Sequence, residues 1–268
     1  MKFEELDLRM RVFETAHDHS ALPGLFLVAR LDGRSFTRLA RDVLELDAPF
    51  DVRFRDAMIA ALRRLMECGF GVVYGYTQSD EISLLFHRGE STFGRKLRKF
   101  ESILASEASA AFTHAIGTPA AFDGRVSQLP TEKDVVDYFR WRQEDAHRNA
   151  LSGHCYWLLR GQGQSQRAAT RALEGASVSA RHELLFHNGL HFDALPSWQK
   201  RGIGAYWETF VKPGRNPRTG VQTQSTRRRV KLDLELPMRR PYEAFVSRML
   251  GGADDPRVEA HDHEVSAT

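Results

Sequence analysis

Apolar runs long enough to cross a bilayer are absent. About 20 consecutive apolar residues are needed, and charged or polar residues break every run in the 268-residue sequence well short of that. A helical membrane protein is therefore excluded. Cysteine is nearly absent too. Cys68 and Cys155 are too few for a disulfide framework, and nothing near them has zinc-ligand spacing. His182, His187 and His191 are spaced five and then four residues apart, across Phe186 and Gly189, which suits no single helix face. The opening Met1-Lys2-Phe3-Glu4-Glu5-Leu6 is too acidic and too broken for a secretory signal. The expectation is a cytoplasmic protein with free thiols and no membrane partner. With 42% hydrophobic and 27% charged residues it has the composition of a soluble globular chain, and its length suits one domain or one plus a small appendage.

Net charge is also small, at +3, but its distribution is uneven. From Gln199 to Arg240 there are 11 Lys or Arg against 3 acids, including the run Arg227-Arg228-Arg229-Val230-Lys231. A basic segment in a nearly balanced chain points to a polyanion such as nucleic acid or nucleotide phosphates. A solvated basic face, or a structural basic strand, is the plainer alternative. The stretch from Gly251 to Thr268 carries five acids and one arginine, has no periodicity, and reads as a disordered tail.

Periodicity predicts a short amphipathic helix over 3–17, with Phe3, Leu6, Met10 and Phe13 on one side. Leu22-Pro23-Gly24 separates it from a strand, Phe26 to Leu31, that ends on Asp32-Gly33. A short helix over 35–41 and a strongly periodic one over 52–68 follow, then a β-hairpin over 71–86. Residues 91–116 read as one long helix with a basic first half. A strand over 121–126 comes next, and then a helix of about 28 residues capped by Thr131-x-x-Asp134. Helical pieces reach Phe186. Strands over 203–212 and 221–236 flank a Pro/Gly turn at 213–220. The succession predicts an α+β fold, an antiparallel sheet with helices packed on one face.

Three acids stand out by position. Asp80 and Glu81 open the second strand of the hairpin, and Asp32 closes the first strand. Asp is disfavoured in β structure, and a buried charge needs a partner or a metal. If those strands are neighbours, Asp32 and Asp80 repel unless protonated or bridged by a cation. Gly33, lacking Cβ, lets a backbone carbonyl approach as well. Hard oxygen donors select Mg²⁺, which shares its sphere with substrate phosphates, and a pair of such ions clamps an in-line phosphoryl displacement. Basic groups should flank such a site, with Arg95, Lys96, Arg98, Lys99, Arg125 and Arg181 as candidates. Four cations at the start of a helix oppose its dipole, which suggests an anion beside them. His147, with Trp141, Gln143 and Asp145 close in sequence, reads by itself as a satisfied helix histidine.

Four motifs occur in order: R-L-D-G-R-S-F (30–36), Y-T-Q-S-D-E-I-S-L-L-F (76–86), F-D-G-R-V (122–126) and Y-F-R-W-R-Q-E-D-A-H-R-N-A (138–150). The ensemble resembles the tRNA-His guanylyltransferase family over about 9–237. More closely it is similar to the bacterial and archaeal guanylyltransferase-like 3′–5′ RNA polymerases. The resemblance implies a polymerase/cyclase-like palm over 1–160 with an N-terminal helix. A helical and basic β extension over 161–250 would complete the same unit, and 251–268 would be the acidic tail. It implies activation of a tRNA 5′ monophosphate with ATP or GTP, then attack by the 3′-hydroxyl of an NTP. Asp32, the Gly33 carbonyl and Asp80 would hold two Mg²⁺ ions, with Glu81 supporting catalysis. Asp32, Gly33, Arg34, Ser35, Phe36, Thr37, Ser79 and Asp80 would line the nucleotide pocket. Lys99, Arg125, His147, Asn149 and Arg181 would hold triphosphates or the 5′ end. Arg95, Lys96, Arg227, Arg228, Arg229 and Lys231 would contact the tRNA acceptor stem, and the family's assembly implies a homotetramer, a dimer of dimers.

Two departures from the family pattern bear on function. The eukaryotic members have lysine where this chain has Ala48, and their H-I-N-N run is His147-Arg148-Asn149-Ala150 here. Both favour template-dependent repair of tRNA 5′ ends over obligatory guanosine addition to tRNA-His. A dedicated guanylyltransferase is the first alternative. A palm-scaffold tRNA-binding protein without catalysis, or a nucleotidyl cyclase, are alternatives of other classes.

Overall fold

The computed structural model describes residues 1–215 and 222–251, so most of the expected turn at 213–220 and the acidic tail after Gly251 lie outside the described residues. Helix α1 (Phe3–Thr15) precedes strand β1 (Phe26–Gly33). A short α2 (Phe36–Arg38) runs into a π-turn over Leu39–Val43, and α3 spans Val52–Glu67. The hairpin is β2 (Val72–Gln78) and β3 (Glu81–Phe86). A 3₁₀ turn at Thr92–Arg95 precedes α4 (Leu97–Ile116), so the basic stretch divides between a turn and a helix start. Strand β4 (Phe122–Leu129) leads to α5 (Glu132–Gly161), whose N-terminus has the Thr131/Asp134 capping box in place. Then come α6 (Gln166–Leu173), α7 (Val178–His187), α8 (Ser197–Arg201), β5 (Ile203–Arg215), β6 (Gln222–Asp233) and α9 (Arg240–Gly251). Periodicity had not singled out α9. No helix among the described residues is long and apolar enough to cross a membrane.

The six strands form one antiparallel sheet in the order β4-β1-β3-β2-β5-β6. The basic C-terminal strands thus extend the sheet that carries the hairpin. Helices do not pack on one face only, as expected, but on both. Leu27, Ala29, Leu31, Ile82 and Leu84 face α3 and α4, where Met58, Leu62, Phe100, Leu104 and Phe112 complete one core. Phe26, Val28, Tyr74, Tyr76 and Leu85 face α5 and α9, packing on Val135, Phe139, Tyr242 and Phe245. The reason is visible in β1: Phe26-Leu27-Val28-Ala29 is continuously apolar, the pattern of a strand covered on both sides. Tyr74 and Tyr242 meet through their hydroxyls at 3.0 Å, which satisfies two polar groups in the second core. Helix α1 buries none of its residues, so its predicted apolar side, Phe3 to Phe13, lies exposed.

Candidate active site

Sheet register brings the acids together. Asp32 lies opposite Glu81 on β3 and opposite Asp123 on β4, three carboxylates in one row across three strands. The two-residue turn of the hairpin, Ser79-Asp80, is tied to β1 by the Gly33 N–H donating to the Asp80 carbonyl at 2.9 Å. Ser35 and Ser79, on either side of the pair, are both left-handed (φ 61° and 49°). Such strain persists where the surroundings hold it and tends to mark functional positions. Gly33 serves a close approach: a Cβ there would stand 2.5 Å from the Phe36 ring. Phe36 in turn packs on Phe112 and Phe122 at 4.9 Å, which anchors the loop after Asp32 in the core.

Like charges placed opposite one another destabilise a sheet, and arginines interleave to offset them. Arg125 Nη2 donates to Asp32 at 3.0 Å and to Asp123 at 3.4 Å. Arg30 reaches Asp32 at 3.5 Å and Glu81 at 3.9 Å. Glu81 takes two parallel hydrogen bonds from Arg142, at 2.7 and 2.8 Å, with both residues buried. Arg142 also donates to Asp145 at 3.0 Å, and Asp145 accepts from Asn149 at 3.2 Å. Glu81 therefore ties the hairpin to α5 through Arg142. Arg142 escaped the sequence reading, although its signal was there: it stands on the buried stripe of α5 defined by Tyr138, Phe139 and Ala146.

Asp80 is different. Its hydrogen-bonding side-chain neighbour is Ser79 Oγ at 3.2 Å, and no cation pairs with it among the described residues. Burial pushes its carboxyl above the usual range, and the Asp32 charge pushes it the same way. Asp32, Asp80 and the Gly33 carbonyl are hard oxygen donors, and two carboxylates suit Mg²⁺, which fills its remaining positions with water and phosphate oxygens. No cluster of three or more His, Cys, Asp or Glu that would make a closed metal cage is present among the described residues. The donor set thus fits an open magnesium site.

Beside the turn opens a cleft of about 300 Å³. Of the residues expected around a nucleotide, Phe36, Thr37, Ser79, Asp80 and Asn149 line it. Asp32, Gly33, Arg34 and Ser35 are next to it in the chain but outside its lining. Sequence reasoning missed Phe50, Asp51, Arg55, Trp157, Trp198 and Gln199, which complete much of the wall. Asp51 is buried and caps α3, accepting from the Arg53 N–H at 2.7 Å.

Other candidates lie elsewhere. Lys99 is ten residues before Ser109, whose Oγ accepts from the Phe122 N–H beside Gly33, so it sits about 15 Å down α4, over the Phe93 ring. Arg181 ties α7 to α5, donating to Ser152 Oγ at 3.0 Å and to the Leu173 carbonyl at 3.2 Å. His147 packs on Phe192 with its Nδ1 buried and unpartnered, and burial lowers its pKa. Neither Arg181 nor His147 lines the cleft. Arg95 is spent on backbone, donating to the carbonyls of Leu22, Leu25 and Glu90 at 2.9–3.0 Å. The anion expected beside the α4 cations is Asp18, which pairs with Arg98 and Lys96; they hold its pKa down at about 2. Along the edge strand β6, Arg229 and Lys231 both pair with Glu208. Arg227 and Arg229 face the same side, opposite Phe210 and Glu208.

Family comparisons agree with this architecture. The family model described as tRNAHis guanylyltransferase matches residues 7–130, and that of the Thg1 C-terminal domain matches 133–238. The tRNA(His) guanylyltransferase of Neurospora crassa is 33% identical over 209 residues, covering 73% of this chain and 71% of that protein. The probable tRNA(His) guanylyltransferase of Drosophila melanogaster is 31% identical over 195 residues, 69% of this chain and 68% of that protein. Among solved structures, a bacterial tRNA(His) guanylyltransferase (Thg1)-like protein in complex with GTP superposes with a TM-score of 0.72 at 26% identity, covering 92% of this chain and 99% of that one. A complex of such a protein with ATP gives 0.70 at 26% identity, covering 91% and 99%.

Proposed function

The chain belongs to the tRNA(His) guanylyltransferase family, and from that premise we propose that it adds nucleotides in the 3′–5′ direction to the 5′ ends of tRNA. The observation that carries the reading is the unpaired, partly buried Asp80 tied to the Asp32-Gly33 strand end at the margin of a cleft. A binding protein gains nothing from placing such a carboxylate where a polyanion must dock. On this reading the sheet with its flanking helices is a polymerase-like palm. Residues 1–160 carry the chemistry, 161–250 complete the unit, and four copies assemble as a dimer of dimers.

Asp32, Asp80 and the Gly33 carbonyl would hold Mg²⁺, which when bound supplies positive charge to the phosphate oxygens and acidifies a bound hydroxyl. The protein's own part is positioning. Backbone bonds fix the two strand ends against each other, and Arg125 stands within 3.0 Å of Asp32 with its other amines free to meet phosphate. The 3′-hydroxyl oxygen of the incoming nucleotide forms the new bond to the 5′ phosphorus as the activating nucleotide or pyrophosphate departs with its electron pair.

Template-dependent repair is the finer form of the proposal. Ala48 sits in the loop whose Leu46, Asp47, Pro49, Phe50 and Asp51 line the cleft, at the position where the resemblance implies a lysine in eukaryotic members, which favours repair over obligatory guanosine addition. The test uses 5′-truncated tRNA carrying a 5′ monophosphate or triphosphate, with each NTP singly. Addition only of the nucleotide complementary to the opposite strand is expected. Addition of G to full-length tRNA-His, whatever base lies opposite, would establish the dedicated guanylyltransferase instead, and no addition to any substrate would overturn both. RNA contact along β6 has its own test. Replacing Arg227, Arg228 and Arg229 by glutamine should weaken tRNA binding and flatten its salt dependence by up to about three counterions' worth. An unchanged slope removes that strand from the interface.

A further inference from the structure

Helix α5 buries one stripe and leaves a large ring outside it. Val135, Tyr138, Phe139, Arg142 and Ala146 pack inward. Trp141 is 52% exposed, the one tryptophan so placed among the described residues. A lone exposed apolar side chain is ordinary, but Trp141 is held in place. The Arg142 guanidinium lies 4.4 Å from its ring centre, and Arg142 is itself fixed by two hydrogen bonds to Glu81 and one to Asp145. Tyr138 meets the indole edge to face at 5.9 Å, and its hydroxyl is anchored to that of Ser83 at 3.1 Å. A ring already oriented by its neighbours loses little freedom when something stacks on it.

Cations flank the ring. Arg148 stands two turns further along the same face of α5 and is exposed. On the sheet, Ser83 lies opposite Arg30, and Arg30 lies opposite Arg125, which is also exposed. The acids beside Trp141 on α5 are each paired: Asp137 with Lys133, Glu144 with Arg140, and Asp145 with Arg142 and Arg148. Asn149, which lines the cleft, is about 12 Å along the helix from Trp141. A flat ring between exposed cations, just outside the cleft, suits a nucleic-acid base with its phosphates better than an apolar peptide.

We propose that Trp141 stacks on an unpaired base at the acceptor end of the RNA, with Arg125 and Arg148 placed for the phosphates beside it. Unpaired RNA bases are commonly held on aromatic side chains, and such stacking accepts any base. A 5′ end that needs nucleotides added leaves bases unpaired on the opposite strand, so a substrate of this reaction presents one. The inference rests on the nucleotide-transfer reading above and assigns a subsite for the template strand within it.

Binding of acceptor-stem hairpin RNAs to the full chain with Mg²⁺ tests it. One hairpin carries an unpaired 3′ overhang, and the other carries the same overhang made abasic, so that the phosphates are kept and the bases removed. The parent should bind the intact overhang about fivefold or more tightly than the abasic one. Trp141→Ala should bind both alike, at the weaker affinity, with its melting curve showing the fold retained. Its salt dependence should match the parent's, because no phosphate contact is lost. Trp141→Gln, polar and without a ring at an exposed position, should behave the same way and serves if the alanine variant does not fold. A parent that binds both hairpins alike, or a folded variant that distinguishes them as the parent does, overturns the inference. So does a variant that changes only the chain's own association state in sedimentation, which would give the ring to a contact between copies. If the parent extends tRNA and any of these is seen, this inference alone fails. If the parent binds neither hairpin and adds no nucleotide to tRNA, the nucleotide-transfer reading fails with it.

Discussion

Asp80→Asn and Asp32→Asn are each expected to reduce nucleotide addition to tRNA by about a thousandfold or more, with tRNA binding retained. Asparagine preserves the shape and hydrogen-bonding capacity of each side chain, so the loss reports charge at the strand ends. The two variants should part company in stability. Asp80 has no cationic partner, and burial together with the Asp32 charge raises its pKa. Its ionised form is thus less favourable in the folded chain than in the unfolded one, a penalty absent at low pH that grows as pH rises through the folded pKa. Without Mg²⁺ at neutral pH, Asp80→Asn should therefore melt no lower than the parent. Asp32→Asn removes the partner of Arg125 and Arg30 and should melt lower. Near-parental turnover in either variant would remove that residue from the chemistry. Thermal scans with and without Mg²⁺ check the stability arm.

Arg142→Gln is expected to be the most damaging single change to the fold. Arg142 and Glu81 are 6% exposed each and joined by two hydrogen bonds. Breaking one side of a buried pair leaves the other charge desolvated, at a cost of about 3–5 kcal/mol. Replacing both partners by leucine removes both charges and should recover much of that loss, since Asp145 keeps Arg148 and Asp32 keeps Arg30 and Arg125. Urea unfolding of Arg142→Leu, Glu81→Leu and the double leucine variant measures the coupling. Additive losses would show that the pair does not act as a unit. Activity should follow a different course. The double variant loses the link between the hairpin and α5, and with it the placement of Asn149 through Asp145, so recovered stability should not restore nucleotide addition.

Much of the fold was legible residue by residue. The alternation after Glu81, the Thr131/Asp134 cap and the 3.6-residue period of 52–68 are local properties, and local geometry decides them. The placing of helices was not. A continuous apolar run such as Phe26-Leu27-Val28-Ala29 states that both faces of a strand are covered but not by what. The second layer includes α9, more than 200 residues away along the chain. Charges were the least legible. Arg95, Lys96 and Arg98 look free in a string of letters, but the backbone carbonyls and the Asp18 that engage them come from separate segments.

Side-chain chemistry and chain order were enough to single out Asp32, Gly33 and Asp80 as a candidate set, because the motifs that carry them occur in family order. Only the folded sheet placed Asp32 in a row with Glu81 and Asp123, gave each acid except Asp80 an arginine, and assembled the aromatic wall of the cleft from α5, α8 and the loop before α3. The physical reason is that composition and period are encoded along the chain. Burial and pairing are encoded across it, between residues that only the closed core brings within a few ångströms.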